Sequence, residues 1–314
     1  MSTTTSEQQE LRNSIFAARE AAEAAKRTNA ENNPDLSQDA RDAIREGMPI
    51  MSQSDLMKRD LNYDIPVETI PLPSKGVLYP PGHPLHMTQG VDIRAMTAKE
   101  EDILMNQGYI RKGIMVNELI RSCMLDKSVD VATLLAGDQA ALMYGVRALG
   151  YGNVYTPKYK CPQCSTQSVM EIDLYKLPIK TLQISPIHQN ENEFEFVLPV
   201  TKKKVRFKFL NANETKQIVD EIETKRKKGI QATNLVTARL MANIISVDGE
   251  TNRTKISQFS QFMPAKDSLA LRKYIDENEP MVDSKVSFAC GGCGHEQDIT
   301  MPLTADFFWP NIEG

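Results

Sequence analysis

Long apolar runs are missing from this chain, and none approaches the length needed to cross a bilayer. Its opening residues, Met1-Ser2-Thr3-Thr4-Thr5-Ser6-Glu7, lack the basic and then apolar pattern of a secretory signal, so a cytosol-like compartment is expected. No charge of one sign dominates either. The 37 Lys and Arg against 41 Asp and Glu leave a net charge of -4, which offers nucleic acid no strongly basic surface. The signatures of common catalysts are absent too: there is no Gly-x-Ser-x-Gly elbow, no His-Glu-x-x-His helix and no dinucleotide fingerprint. Histidine is scarce. His83 and His86 lie in a proline-rich stretch without acidic neighbours, and His188 stands alone near Pro186. The chain therefore reads as a non-enzyme with no catalytic residue, and its 314 residues leave room for one large or two modest cores.

Cysteine is sparse as well, at five residues, but four of the five are paired: Cys161-Pro162-Gln163-Cys164 and Cys290-Gly291-Gly292-Cys293, 129 residues apart. Two residues between cysteines let both sulfurs face one ion, so the two pairs fit a single tetrahedral zinc. Because the pairs are so distant in sequence, such an ion would clamp two remote parts of the chain. Four thiolate ligands also leave no open position for water or substrate, which makes the expected zinc structural. His295 is expected outside the ligand set, since the four cysteines complete it. Gly291 and Gly294 are expected to let the second knuckle turn tightly. The fifth cysteine, Cys123, follows Leu119 and Ile120 and reads as a small core residue.

Apolar residues alternate after both knuckles at the same offset: Met170, Ile172 and Leu174, then Ile299, Met301 and Leu303. The likeness extends further back. Val91-Asp92-Ile93-Arg94-Ala95-Met96 precedes Thr97-Ala98-Lys99-Glu100, and Val205-Arg206-Phe207-Lys208-Phe209-Leu210 precedes Asn211-Ala212-Asn213-Glu214. Both tetrads are capping-box patterns, predicting helices over about 98–107 and 212–227. The basic run Lys225-Arg226-Lys227-Lys228 suits a helix C-terminus. A more apolar helix follows in each half, through Ile114, Leu119, Ile120 and Cys123, and through Leu235, Leu240, Met241, Ile244 and Ile245. Asp138 and Asp267 then each precede a further helix and are expected as N-caps. The expected fold class is α+β: two divergent internal repeats, each strand–helix–helix–helix–strand, joined by a shared four-cysteine zinc ribbon, with an N-terminal helical arm.

Around those halves, residues 1–65 favour helix but carry few apolar anchors, and are expected to form an arm that orders on a neighbouring subunit. The proline-rich text from Pro66 to Gly90 reads as a rigid loop packed along the first repeat. The repeats are placed at 66–180 and 181–314. A zinc-ribbon module binding nucleic acid or transcription machinery is the alternative, supported by Lys202-Lys203-Lys204, Arg206 and Lys208 beside Phe207 and Phe209.

Pro71-Leu72-Pro73-Ser74-Lys75-Gly76 with Tyr79, followed by Ile93-Arg94-Ala95-Met96-Thr97-Ala98-Lys99-Glu100-Glu101, resembles the opening of T4-type bacteriophage baseplate proteins linked to the tail hub and its assembly. The resemblance continues through Asp138, Arg147 and Tyr151-Gly152 to Tyr159-Lys160-Cys161-Pro162-Gln163-Cys164, and is looser in the second half. It implies a late, non-enzymatic structural component or assembly factor of a contractile tail. Such a protein would bind other baseplate and tail proteins and reside in the virion tail baseplate after assembly in the host cytoplasm.

Overall fold

A computed structural model describes residues 64–227, 235–301 and 307–308, and from Pro66 onward they belong to one compact unit. The expected arm lies outside the described residues but for its last two positions, as do Lys228 and Leu303. Among the described residues the fold is mixed α and β, with eight α-helices and small antiparallel sheets of two or three strands.

The first half opens on a hairpin in which β1 (Val67–Pro71) pairs with β2 (Gly90–Arg94), Ile70 facing Val91. The expectation of a loop from Pro66 is corrected here. Its prolines sit at the margins, Pro66 just before the strand and Pro71 at its last position, where they cost few ladder bonds and leave the residues between them free to pair. Helix α1 (Ala98–Met105) starts at the expected capping box, the Thr97 amide donating to Glu100 Oε2 at 2.9 Å. It stops short of residue 107 because Asn106 caps a separate helix, α2 (Gln107–Lys112), accepting from the Gly108 and Tyr109 amides. Helix α3 (Met115–Cys123) buries Leu119, Ile120 and Cys123, and Met124 bridges back to Ile93 of β2. Helix α4 (Ala136–Tyr151) closes the set and runs through the core.

The second half has a similar order. Strands β8 (Phe194–Val197) and β9 (Lys204–Phe207) form a hairpin, and α5 (Ala212–Lys227) follows over the expected residues. Its start is reciprocal: the Glu214 amide donates to Asn211 Oδ1 at 2.8 Å and the Asn211 amide to Glu214 Oε2 at 3.1 Å. After α6 (Leu235–Asn243), residues Ile244 and Ile245 are not the helix tail expected of them but begin β10 (Ile244–Val247), which pairs with β9. Asn243 ends the helix by exchanging bonds with Lys208, its carbonyl accepting at 2.9 Å and its side-chain amide donating at 2.8 Å. The β-branched pair then continues as strand. Helix α7 (Arg253–Phe262), capped by Asn252, has no counterpart in the expected order, and α8 (Ala265–Asn278) follows it.

The N-cap reading of the two aspartates is also corrected. The caps are Leu135 and Pro264, while Asp138 and Asp267 sit in the first helical turn with side chains turned inward. Each holds the loop of its own hairpin. Asp138 accepts from the Ser74 amide (3.0 Å), Ser74 Oγ (2.5 Å) and Tyr79 Oη (2.8 Å). Asp267 accepts from the Val200 and Thr201 amides at 2.7 and 3.0 Å.

Backbone bonds tie the two halves. The Ala212 amide donates to the Leu134 carbonyl and the Ala136 amide to the Leu210 carbonyl, at 2.8 and 3.1 Å. Within the first half β3 (Val154–Tyr155) pairs with β6 (Ile172–Asp173), and between the halves β7 (Ile179–Lys180) pairs with β11 (Met281–Val282). Aromatic packing fills the second half, with Phe194 on Phe209 at 4.8 Å and Phe196 on Tyr274 at 4.6 Å between ring centroids.

Candidate metal centre

Each cysteine pair occupies the turn of a β-hairpin. Strands β4 (Lys158–Lys160) and β5 (Gln167–Val169) flank the first pair, and β12 (Lys285–Ala289) and β13 (Glu296–Thr300) the second. The two turns share a backbone pattern. The amide of the leading cysteine donates five residues on, Cys161 to the Thr166 carbonyl and Cys290 to the His295 carbonyl, both at 2.9 Å. The carbonyl of that cysteine accepts from the residue four on, Ser165 or Gly294, both at 3.0 Å. Those residues are left-handed, with φ of 60° and 71°. Glycine adopts this readily and serine at a cost. Gly291 is not constrained as expected: it has open space around it and no positive φ. The demand falls on Gly292, whose amide donates to Cys290 Sγ at 3.4 Å and whose added Cβ would lie 2.8 Å from Thr166 Oγ1 of the other knuckle.

The pairs converge. Cys161 Sγ lies 3.7 Å from Cys293 Sγ and Cys164 Sγ 3.5 Å from Cys290 Sγ, and all four sulfurs fall within 4.8 Å of one another. One cysteine of each pair is buried and one exposed. The Thr166 hydroxyl and amide hold the Cys164 thiol down at about 6. The His295 amide favours the Cys293 thiolate, yet the neighbouring Cys164 and the other sulfurs push that thiol up to about 12. Four sulfurs this close resist ionising together unless a cation joins them, and a set without carboxylate or imidazole suits a thiophilic ion. The four cysteines could hold one metal ion.

Support comes from side chains behind the knuckles, of which the sequence had singled out only Tyr159. Tyr159 packs edge-on against Phe288 at 4.7 Å and accepts from Gln297 Nε2 at 3.0 Å, joining the two hairpins behind the knuckles. His295 is outside the thiol cluster, 3.3 Å from Gln297 Oε1 through Nε2. Cys123 is far from metal chemistry: it is fully buried, and burial, then Glu100, push its thiol up to about 12.

Four of the five cations in the basic stretch before α5 are paired, Lys202 being the exception among the described residues. Lys203 pairs with Asp248, Lys204 with Glu195, Arg206 with Glu193 and Lys208 with Glu214. Phe207 and Phe209 are core residues with no face left for a base. His83 stacks on Tyr79 at 4.5 Å and contacts Thr133 Oγ1 at 3.0 Å, which accounts for it structurally.

A family model described as T4 bacteriophage base plate protein matches residues 72–309, most of the chain. No curated protein and no solved structure matches.

Proposed function

The chain belongs to the T4 bacteriophage base plate protein family, and from that premise we propose that it is a non-enzymatic structural or assembly component of a contractile tail, clamped by one structural zinc. The match over residues 72–309 carries the base plate role. The converging sulfurs carry the zinc. A tetrahedral zinc with bonds of about 2.3 Å separates its sulfurs by about 3.8 Å, close to the 3.5 and 3.7 Å found across the knuckles. The ligands are Cys161, Cys164, Cys290 and Cys293. Zinc there contributes no catalytic step; the chain's own residues bring the hairpins together and the ion holds them.

The two halves, 66–180 and 181–314, are read as divergent copies of one unit, each donating half of the ribbon. Arg94–Glu100 and Lys208–Glu214 repeat the same ion pair across a capping box, Asp138 and Asp267 the same loop anchor, and Ser165 and Gly294 the same left-handed turn. Residues 1–65 are proposed as an arm that docks on neighbouring tail proteins. Assembly is placed in the host cytoplasm, with the finished protein in the tail base plate or at the hub.

Two experiments test this. Native mass spectrometry with elemental analysis should find one zinc per chain; none, or two, would rule out the shared site. Infection by a phage lacking this chain should yield tails without complete base plates, and normal infectious tails would refute the role.

A further inference from the structure

We propose that copies of this chain dock head to tail through the outer faces of the two cysteine hairpins, the first hairpin of one copy against the second hairpin of the next. The proposal goes beyond the base plate role and stands on the two hairpins alone.

Side chains alternate across a strand, so each hairpin has an inner face, with Tyr159 and Met170 or Phe288 and Ile299 in the core, and an outer one. On the first outer face Lys160 lies opposite Gln167 and Lys158 opposite Val169, with Glu171 next along that strand, all of them exposed. On the second, Ala289 lies opposite Glu296, Ser287 opposite Asp298 and Lys285 opposite Thr300, again all exposed. Lys160 and Ala289 each directly precede the leading cysteine of their knuckle. The hairpins therefore turn the same side outward.

Their charges are reversed. The first face carries Lys158 and Lys160 near the knuckle and Glu171 farther out, whereas the second carries Glu296 and Asp298 near the knuckle and Lys285 farther out. Among the described residues no ion pair takes up any of these six, and Asp298 accepts from a neutral donor, Ser287 Oγ, at 2.8 Å. The next acidic groups outward are already engaged, Asp173 with Lys176 and Asp283 with the Lys285 amide.

When unlike faces are laid together with their knuckles at the same end, the leading strand of the first hairpin meets the trailing strand of the second. Lys160 then meets Glu296, Lys158 meets Asp298 and Glu171 meets Lys285. Val169, which is 65% exposed, meets Ser287 beside Ala289, two small residues that leave room for a branched side chain. Stacking either face on its own kind forms none of these opposite-charge pairs, so charge selects unlike faces. A contact between unlike faces is heterologous, and it closes a ring or extends a stack. Each face is two short strands wide, well below a standard interface, so the contact is weak between free chains and gains from high local concentration.

The test mixes purified full-length chain with the same chain labelled with heavy nitrogen, in concentrated solution. A zero-length carbodiimide joins lysines to carboxylates in contact, and mixed-isotope links are mapped by mass spectrometry. Links from Lys158 and Lys160 to Glu296 and Asp298 are expected. Lys158→Glu alone and Asp298→Lys alone should each reduce the Lys160–Glu296 link at least about tenfold, and combining both swaps in one chain should restore it. Both side chains are exposed, so the variants should melt with the parent; if either does not, Lys160→Glu with Glu296→Lys makes the same comparison at the Lys158–Asp298 link. Links confined to single chains, mixed-isotope links only at other residues, links that survive a single swap, or a double swap that fails to restore them would each overturn the proposal.

Discussion

At the scale of single residues, the charged groups inside the fold work as fasteners. Arg94 donates two bonds to Glu100, at 3.0 and 2.7 Å, with both side chains almost wholly buried. Burial would raise the Glu100 carboxyl, but Arg94, Ser122 and Thr97 overcome it and hold the group down at about 2, against an ordinary 4.5. Because the folded value is the lower one, the stability from this carboxylate is complete above pH 4.5 and is lost as pH falls toward 2. Arg94→Met should cost about 3–5 kcal/mol in urea unfolding at pH 7, since it strands a buried carboxylate, and should flatten this acid dependence. The two loop-holding aspartates should differ. Removing Asp138 leaves the buried Ser74 amide and Tyr79 hydroxyl without their acceptor, whereas the Val200 and Thr201 amides held by Asp267 lie nearer solvent. Asp138→Ala should therefore cost about 3 kcal/mol and Asp267→Ala about half that; the reverse ranking of melting temperatures would contradict this account.

At the scale of elements, each knuckle is a hairpin turn whose geometry depends on a few backbone positions. Gly292 approaches Thr166 of the opposite knuckle, so a methyl group there has to push the two turns apart, while Gly291 faces open space. Gly292→Ala should weaken metal retention at least about tenfold in competition with a chromophoric chelator, since a displacement of a few tenths of an ångström spoils a tetrahedral site. Gly291→Ala should stay within about twofold. Much of this scale was legible beforehand. The capping boxes at Thr97 and Asn211 announced α1 and α5 because the donors and acceptors involved are three residues apart and local. Strands β1 and β10 were hidden, because prolines and an apolar run disguise strands whose partners are elsewhere in the chain.

For the whole molecule, the halves depend on one another through β7–β11, the Leu134–Ala212 exchange and the thiol cluster. If one ion spans the four sulfurs, each half holds an equal share of it. Cys161→Ser and Cys290→Ser should then lower the melting temperature by similar amounts, and a strong chelator should lower the parent chain to the same level. One variant that keeps its metal and melts normally while the other collapses would show that the sulfurs do not share an ion. A structural thiolate zinc can contribute about 10 kcal/mol, comparable with the net stability of many whole domains, so partial unfolding of the metal-free chain is expected.

The sequence by itself determined what depends on short separations: the Cys-x-x-Cys pairs, the capping-box starts of α1 and α5, the alternation after each knuckle and the family resemblance through Tyr159–Cys164. Tertiary structure alone decided that Asp138 and Asp267 turn inward to hold hairpin loops instead of capping helices, because their partners lie some 60 residues away. It alone brought Gly292 against Thr166 and left Phe262 bare. Local chemistry is written in neighbouring residues, whereas which face is covered depends on what the rest of the chain packs against it.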